Sequence, residues 1–271
     1  MPTNKSLAST SFAGTPGRLR ALIFDVDGTL ADTESVHLAA FNQAFAQFGL
    51  DWHWDEALYT RLLDVSGGKE RIRHYWHMAQ PQLREVAGMA MQETIGQLHE
   101  LKTAAYEAAV RGGGLVLRPG VLPLIHEALA HGLRLAIATT TSPVNIAALL
   151  GRAIGPDWRQ HFAAIGDASN APIKKPHPQV YLNMLAALQL EPAACLAFED
   201  SSNGLQAASA AGLATIITPT HFTATHDFGA ALRVLPDLGA VDLAQLRSWH
   251  GACLQAAAPV PHGTGASRLM G

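Results

Sequence analysis

Leu22-Ile23-Phe24-Asp25-Val26-Asp27-Gly28-Thr29-Leu30 runs three apolar residues straight into two aspartates one residue apart, with a glycine directly behind them. A short apolar run that ends at a turn residue fits a strand buried on both faces. In extended chain Asp25 and Asp27 point to one side and Val26 to the other, so two carboxylates converge beyond the strand while Val26 enters the core. Gly28 permits a sharp exit from the strand.

Working outward, apolar β-rich runs recur at 133–138, 162–165, 195–198 and 214–218, with helical spacing between them at 121–131, 144–151, 178–190 and 202–211. Strands that are apolar throughout and alternate with helices predict an α/β fold, a Rossmann-like parallel sheet covered on both faces. The interval 34–114 differs. Leu38, Phe41, Phe45 and Phe48 recur at helical spacing over 37–48, and helical patterns continue over 55–63, 69–78 and 82–110, with no strand expected. The expected organisation is therefore a disordered tail at 1–17, a discontinuous α/β core at 18–33 and 112–252, a helical cap domain at 34–111 inserted after the first strand, and a loose C-terminal tail at 253–271. Hinges would lie near Thr33 and at 112–114.

Composition narrows the class. The chain has 271 residues, 48% hydrophobic and 15% charged, with a net charge of −3, which excludes global disorder. No basic block points to nucleic acid, and no apolar run approaches the ~18 residues of a membrane span. Cys195 and Cys253, the two cysteines, fit a reduced compartment. Residues 1–17 lack a secretory apolar region, so a bacterial cytoplasm is expected, with plastid targeting by that tail left open. A monomer is expected.

Ligands of open parallel sheets bind beyond the carboxyl ends of the strands. Four apolar runs deliver chemistry there: Asp25 and Asp27; Thr139, Thr140 and Thr141; Lys174-Lys175-Pro176; and Glu199-Asp200. Alone, each has an ordinary reading as turn, β-propensity, solvated loop or helix cap; their order along successive strands decides. A carboxylate can attack phosphorus, a second can carry the leaving group's proton, and a hard divalent cation such as Mg²⁺ takes carboxylate and carbonyl oxygens from Asp25, Asp27 and Asp200. Lys175 would offset charge on a transferring group, and Thr139 would hydrogen-bond its oxygens.

This pattern resembles the haloacid dehalogenase-like hydrolase superfamily over about residues 19–249. The resemblance implies that Asp25 is the nucleophile and Asp27 the general acid/base. It also implies that Thr139 and Lys175 hold phosphate, with Thr140 and Thr141 beside them, and that Asp200 with Glu199 completes a Mg²⁺ site. The inserted helices look like the substrate-choosing cap of one subgroup.

In that insertion, Glu34 and His37 share a helix face beside the hinge, Gly67-Gly68-Lys69-Glu70-Arg71 opens a helix with two cations, and His99 and Lys102 sit three apart. The segments DVDGTLADTESVH, SGGKER, ATTTS, KKP and FEDSSNGL are similar to the CbbY-type phosphatases, which implies xylulose-1,5-bisphosphate as a phosphorylated-sugar substrate and Lys69 and Arg71 as holders of its second phosphate. A β-phosphoglucomutase-like phosphomutase and a phosphoglycolate phosphatase remain the alternatives.

Overall fold

The computed structural model describes residues 18–113 and 115–257; the expected tail at 1–17, residues 258–271 and Gly114 of the second hinge lie outside them. The chain runs β1 (Ala21–Phe24), α1 (Glu34–Phe48), α2 (Glu56–Leu62), α3 (Gly68–Ala79), β2 (Glu85–Val86), β3 (Met89–Ala90) and α4 (Met91–Arg111). It continues through α5 (Val121–Ala130), β4 (Arg134–Ala138), α6 (Pro143–Ala153), β5 (Ala164–Gly166), α7 (Gln179–Leu188), β6 (Cys195–Glu199), α8 (Ser202–Ala210), β7 (Ala214–Ile217), β8 (Arg233–Val234) and α9 (Leu243–Ala257).

Six strands form one sheet in the order β5-β4-β1-β6-β7-β8, and every pairing in it is parallel. β1 lies between β4 and β6, with Phe24 opposite Ile137 on one side and Phe198 on the other. The chain leaves β1 towards one neighbour and returns to the other, which makes the end of β1 the switch point where such sheets bind ligands.

The two faces are sorted by size. Leu22, Phe24, Leu135, Ile137, Leu196 and Phe198 form one face, filled by α5, α6 and α9 through Leu124, Ile146, Leu149 and Leu246. Phe24 stacks on Phe198 with ring centres 4.6 Å apart. The other face carries Ala21, Ile23, Ala136, Ala138, Cys195 and Ala197, small side chains apart from Ile23, against which Val180, Tyr181 and Met184 of α7 and Ala207 and Ala208 of α8 pack. Period-two alternation of large and small residues thus brings different helices to each face at different depth.

The segment between β1 and residue 112 folds around its own aromatic cluster of Phe41, Phe45, Trp52, Trp54, Tyr59 and Trp76, all buried. α4 joins it to the rest: Ile95 and Leu98 belong to this cluster, whereas Ala105, Tyr106 and Val110 belong to the core on the sheet.

Four boundaries differ from the sequence reading. The interval 34–114 is not free of strands, because β2 and β3 pair as an antiparallel hairpin. Its turn is Ala87-Gly88, both at positive φ (51° and 77°), the backbone that a two-residue hairpin demands even where an alanine must supply it. α4 accordingly starts at Met91 rather than near 82. β8 extends the sheet by two exposed residues, too short to leave a hydrophobic pattern. α9 carries helix to Ala257, past the expected start of a loose tail at 253, because Leu243 and Leu246 anchor it on the sheet.

Candidate active site

The cleft lies at the carboxyl end of the sheet, between that edge and the helices inserted after β1. About 110 Å³ of it is open to the centres of water-sized molecules, and its mouth opens to solvent. Asp25, Asp27, Thr139, Thr140, Thr141, Lys175, Glu199 and Asp200 line one wall, and Glu34, His37, Gly67, Gly68, Arg71, His99 and Lys102 line the other. Side chains from 25 to 200 in the sequence thus meet in one space.

On the sheet side, Lys175 Nζ donates to Asp25 Oδ1 at 2.6 Å and also to Glu199 Oε1. Tyr181, from α7, donates to the same Glu199 oxygen. Burial pulls the Lys175 ammonium towards neutrality, but Asp25 and Glu199 outweigh it and hold the group firmly charged. Burial and the charges of Glu199 and Asp27 push Asp25 up to about 7 against the pull of Lys175. Asp200 is raised well above the usual carboxylate range by burial and by Asp25 and Glu199. Its oxygen accepts from Thr223 at 3.3 Å.

Oxygens of Asp25, Glu199 and Asp200 lie within 4.8 Å of one another, and all three residues are buried. One ammonium does not neutralise three carboxylates, and Glu199 Oε2 is buried with no hydrogen-bond partner among the described residues. A hard divalent cation fits that donor set. Glycine makes room for it. Gly28 has φ +84°, and a Cβ there would lie 2.3 Å from Asp200 Oδ2; a Cβ at Gly204 would lie 1.9 Å from Glu199 Oε2.

Asp27 belongs to a different network. Its Oδ1 accepts from Thr33 Oγ1 at 2.8 Å and from His37 Nε2 at 2.9 Å. His37 Nδ1 lies 2.8 Å from Lys102 Nζ, and its ring stacks on Tyr106 with centres 4.2 Å apart. An ammonium can only donate, so Lys102 donates to Nδ1, and the ring proton on Nε2 points at Asp27. Burial alone would raise Asp27, but His37, Thr33 and Lys102 together hold it well below the usual carboxylate range. Burial and the nearby Arg71 bring Lys102 down to about 8, against Asp27 and Glu34. Thr33 precedes α1 without capping it through its side chain, because its hydroxyl is spent on Asp27.

The inserted helices place their groups by helical register. Glu34 Oε2 accepts from Tyr59 at 2.6 Å, and Arg71 donates to the same Tyr59 hydroxyl at 3.1 Å and to Leu62 O. Gly68 and Arg71, three apart, face the cleft, so the two residues between them cannot. Lys69 is exposed, and Glu70 turns its carboxylate under Gly67; neither lines the cleft. Among the described residues, neither Arg71 nor Lys102 has a carboxylate within ion-pair distance, although both are buried.

Burial first, then Lys102 and Lys69, lowers His99 to about 4 from an ordinary 6.5. The unfolded chain therefore binds the extra proton between those values, and stability is lost as pH falls through that window. His99→Gln should flatten the fall in unfolding free energy, read from urea melts, between pH 6.5 and pH 4 by on the order of 2 kcal/mol. An unchanged slope would contradict that environment.

Several residues in the cleft or buried just behind it escaped the sequence reading. Tyr59 has no local signal. Asn203, which donates to Asp64 O at 2.9 Å and to Ser66 Oγ, and His226, whose Nδ1 accepts from Ser202 N, come together only through contacts 24 to 139 residues apart. Asn145 lies nearer a legible feature, since Ser142 caps α6 by accepting from its backbone N–H.

The sequence model of the haloacid dehalogenase-like hydrolases matches residues 19–212. Protein CbbY, plasmid, of Cupriavidus necator is 55% identical over 87% of this chain and 98% of its own. Protein CbbY of Rhodobacter capsulatus is 47% identical over 82% of this chain and 95% of its own. The crystal structure of a mutant CbbY from Rhodobacter sphaeroides in complex with xylulose-(1,5)bisphosphate is 40% identical, with a TM-score of 0.78 over 84% of this chain and 99% of that one. By its sequence, its sheet and its near full-length relatives, the chain belongs to the haloacid dehalogenase-like hydrolases, as a phosphoric monoester hydrolase related to the CbbY proteins.

Proposed function

We propose that the chain is a Mg²⁺-dependent sugar-bisphosphate phosphatase that removes one phosphate from xylulose-1,5-bisphosphate to give xylulose 5-phosphate. The observation that carries this reading is a pair of cationic sites on facing walls. Lys175 sits beside Asp25 on the sheet, while Arg71 and Lys102 stand on the inserted helices, with no carboxylate among the described residues within ion-pair distance of either. Two anions on one substrate match two such walls. The CbbY relative solved with that bisphosphate supports the same choice. In the cell, the reaction would clear an inhibitor of Rubisco, in a reducing cytoplasm and as a monomer.

In the first half of the reaction a carboxylate oxygen of Asp25 bonds to phosphorus as the bond from phosphorus to the sugar oxygen breaks, and Asp27 gives that oxygen a proton. In the second half Asp27 takes a proton from water, the water oxygen bonds to phosphorus, and the Asp25–phosphorus bond breaks. Asp27 is ionised at rest, so the proton it gives first reaches it along the Lys102–His37 line, and the proton it takes from water leaves by the same line. Thr139, Thr140 and Thr141 offer hydroxyls to the phosphoryl oxygens beside Lys175. Asp25, Asp200 and Glu199 would hold Mg²⁺, which when bound supplies charge neutralisation to the transferring group. Glu34, oriented by Tyr59, faces the sugar hydroxyls, and Arg71, His99, Lys102 and the turn at Gly67-Gly68 face the far phosphate. The insertion at 34–111 acts as the cap on the discontinuous core.

Asp27→Asn keeps the shape and removes the proton carrier, so kcat should fall about 10²- to 10⁴-fold. The test of the proposal as a whole is phosphate release from xylulose-1,5-bisphosphate with Mg²⁺ and with EDTA. Release of one phosphate per sugar that stops on chelation is expected; release unaffected by EDTA would overturn the metal assignment.

A further inference from the structure

Phe222 lies in the turn after β7, on the sheet side of the molecule, yet its ring is only 2% exposed and belongs to the aromatic cluster of the inserted helices. It meets Tyr59 edge-on, with ring centres 5.9 Å apart, and His221 stacks on its other side at 4.4 Å. The turn that carries it is tied down on the sheet side. Arg118 donates to Pro219 O at 2.9 Å, Thr220 N donates to Thr223 Oγ1 at 3.0 Å, and Thr223 reaches Asp200. His221 adds an exposed pair with Glu56 of α2 at 2.9 Å. One short turn thus touches Asp200 of the acidic cluster through Thr223 and Tyr59, the orienter of Glu34 and Arg71, through Phe222.

We propose that Phe222 is a latch: a positioning and specificity-determining residue that holds the inserted helices closed over the sheet by docking in their aromatic core. Separation of the two walls would draw the ring out of that core into water, so the closed arrangement is favoured by its burial. Closure also sets Tyr59, and through it Glu34 and Arg71, at working distance from substrate on the sheet. Turnover of acetyl phosphate does not need the latch, because its acetate leaves without a proton from Asp27 and Asp27 on the sheet side can still take a proton from water, whereas recognition of the distal part of a large substrate does. The inference deepens the phosphatase reading and rests on it.

The test compares two substrates in wild type, Phe222→Ala and Phe222→Leu. Acetyl phosphate is too small to reach the insertion; xylulose-1,5-bisphosphate spans both walls. In Phe222→Ala, kcat/KM for the bisphosphate should fall about 10- to 100-fold, chiefly through KM, while acetyl phosphate turnover stays within about twofold. Phe222→Leu, which keeps an apolar group in the socket, should recover part of the loss and guards against a folding defect. A proportional fall on both substrates, or no change on either, overturns the latch. If wild type turns over phosphoglycolate or β-glucose 1-phosphate but not the bisphosphate, the substrate reading fails by itself. The same ratio, read on that substrate, still decides the latch.

Discussion

Asp25→Asn should leave no measurable phosphate release, a loss of about 10⁴-fold or more. The amide is nearly the same size and keeps an oxygen where Lys175 Nζ donates at 2.6 Å, so the loss cannot be put down to packing. What disappears is a nucleophile: an amide oxygen does not form the bond to phosphorus that a carboxylate does. The variant also removes one charge from a buried acidic cluster, so its melting temperature should match or exceed that of wild type. Wild type mixed with substrate and quenched should carry one phosphoryl group on the peptide containing Asp25, and the variant none. Turnover of Asp25→Asn within about a hundredfold of wild type would remove Asp25 from the reaction.

Lys175→Met should damage both activity and fold. Its Nζ is shared by Asp25 and Glu199, and the group is buried beside a third carboxylate, Asp200. Without it, three carboxylates face one another out of water, which costs about 3–5 kcal/mol. For a chain of this size that corresponds to a fall in Tm of about 6–20 °C. Loss of the cation beside the transferring group should also lower kcat by about 10²- to 10³-fold. Added Mg²⁺ should restore part of the lost stability, because it binds the folded acidic cluster and not the unfolded chain. A thermal scan of the variant with and without Mg²⁺ checks both points. A Tm within about 2 °C of wild type in metal-free buffer would show that the cluster is not held by Lys175.

What could be read from the sequence was what is local. Asp25 and Asp27 alternate with Val26 along one extended run, so their shared direction follows from strand geometry alone. Lys175 and the Glu199-Asp200 pair follow apolar runs, and parallel pairing brings all such ends to one edge whatever the loops do. The insertion was visible as a helical period without strands, apart from the β2–β3 hairpin, whose Ala87-Gly88 turn has no strong signature. The helix register was hidden. A cluster of charges at 69–71 names three candidates, but the position at which α3 starts turns Arg71 inward and leaves Lys69 in solvent. The long-range contacts were hidden too. Tyr59 to Glu34 spans 25 residues, and Lys102 to His37 spans 65. Such partners are chosen by packing, and no spacing rule in the chain records them.

The measurement that tests the account most directly is kcat/KM for phosphate release, in Mg²⁺, from xylulose-1,5-bisphosphate beside ribulose-1,5-bisphosphate, phosphoglycolate and β-glucose 1-phosphate. Two cationic walls predict a preference for xylulose-1,5-bisphosphate of about 10²-fold or more over the monophosphates, since each charge-assisted contact to the second phosphate contributes about 1.5–3 kcal/mol. That preference should collapse in Arg71→Ala. Equal or better turnover of a monophosphate would contradict the reading of the inserted helices as a second phosphate site, and leave Asp25 and Asp27 to act on a smaller substrate.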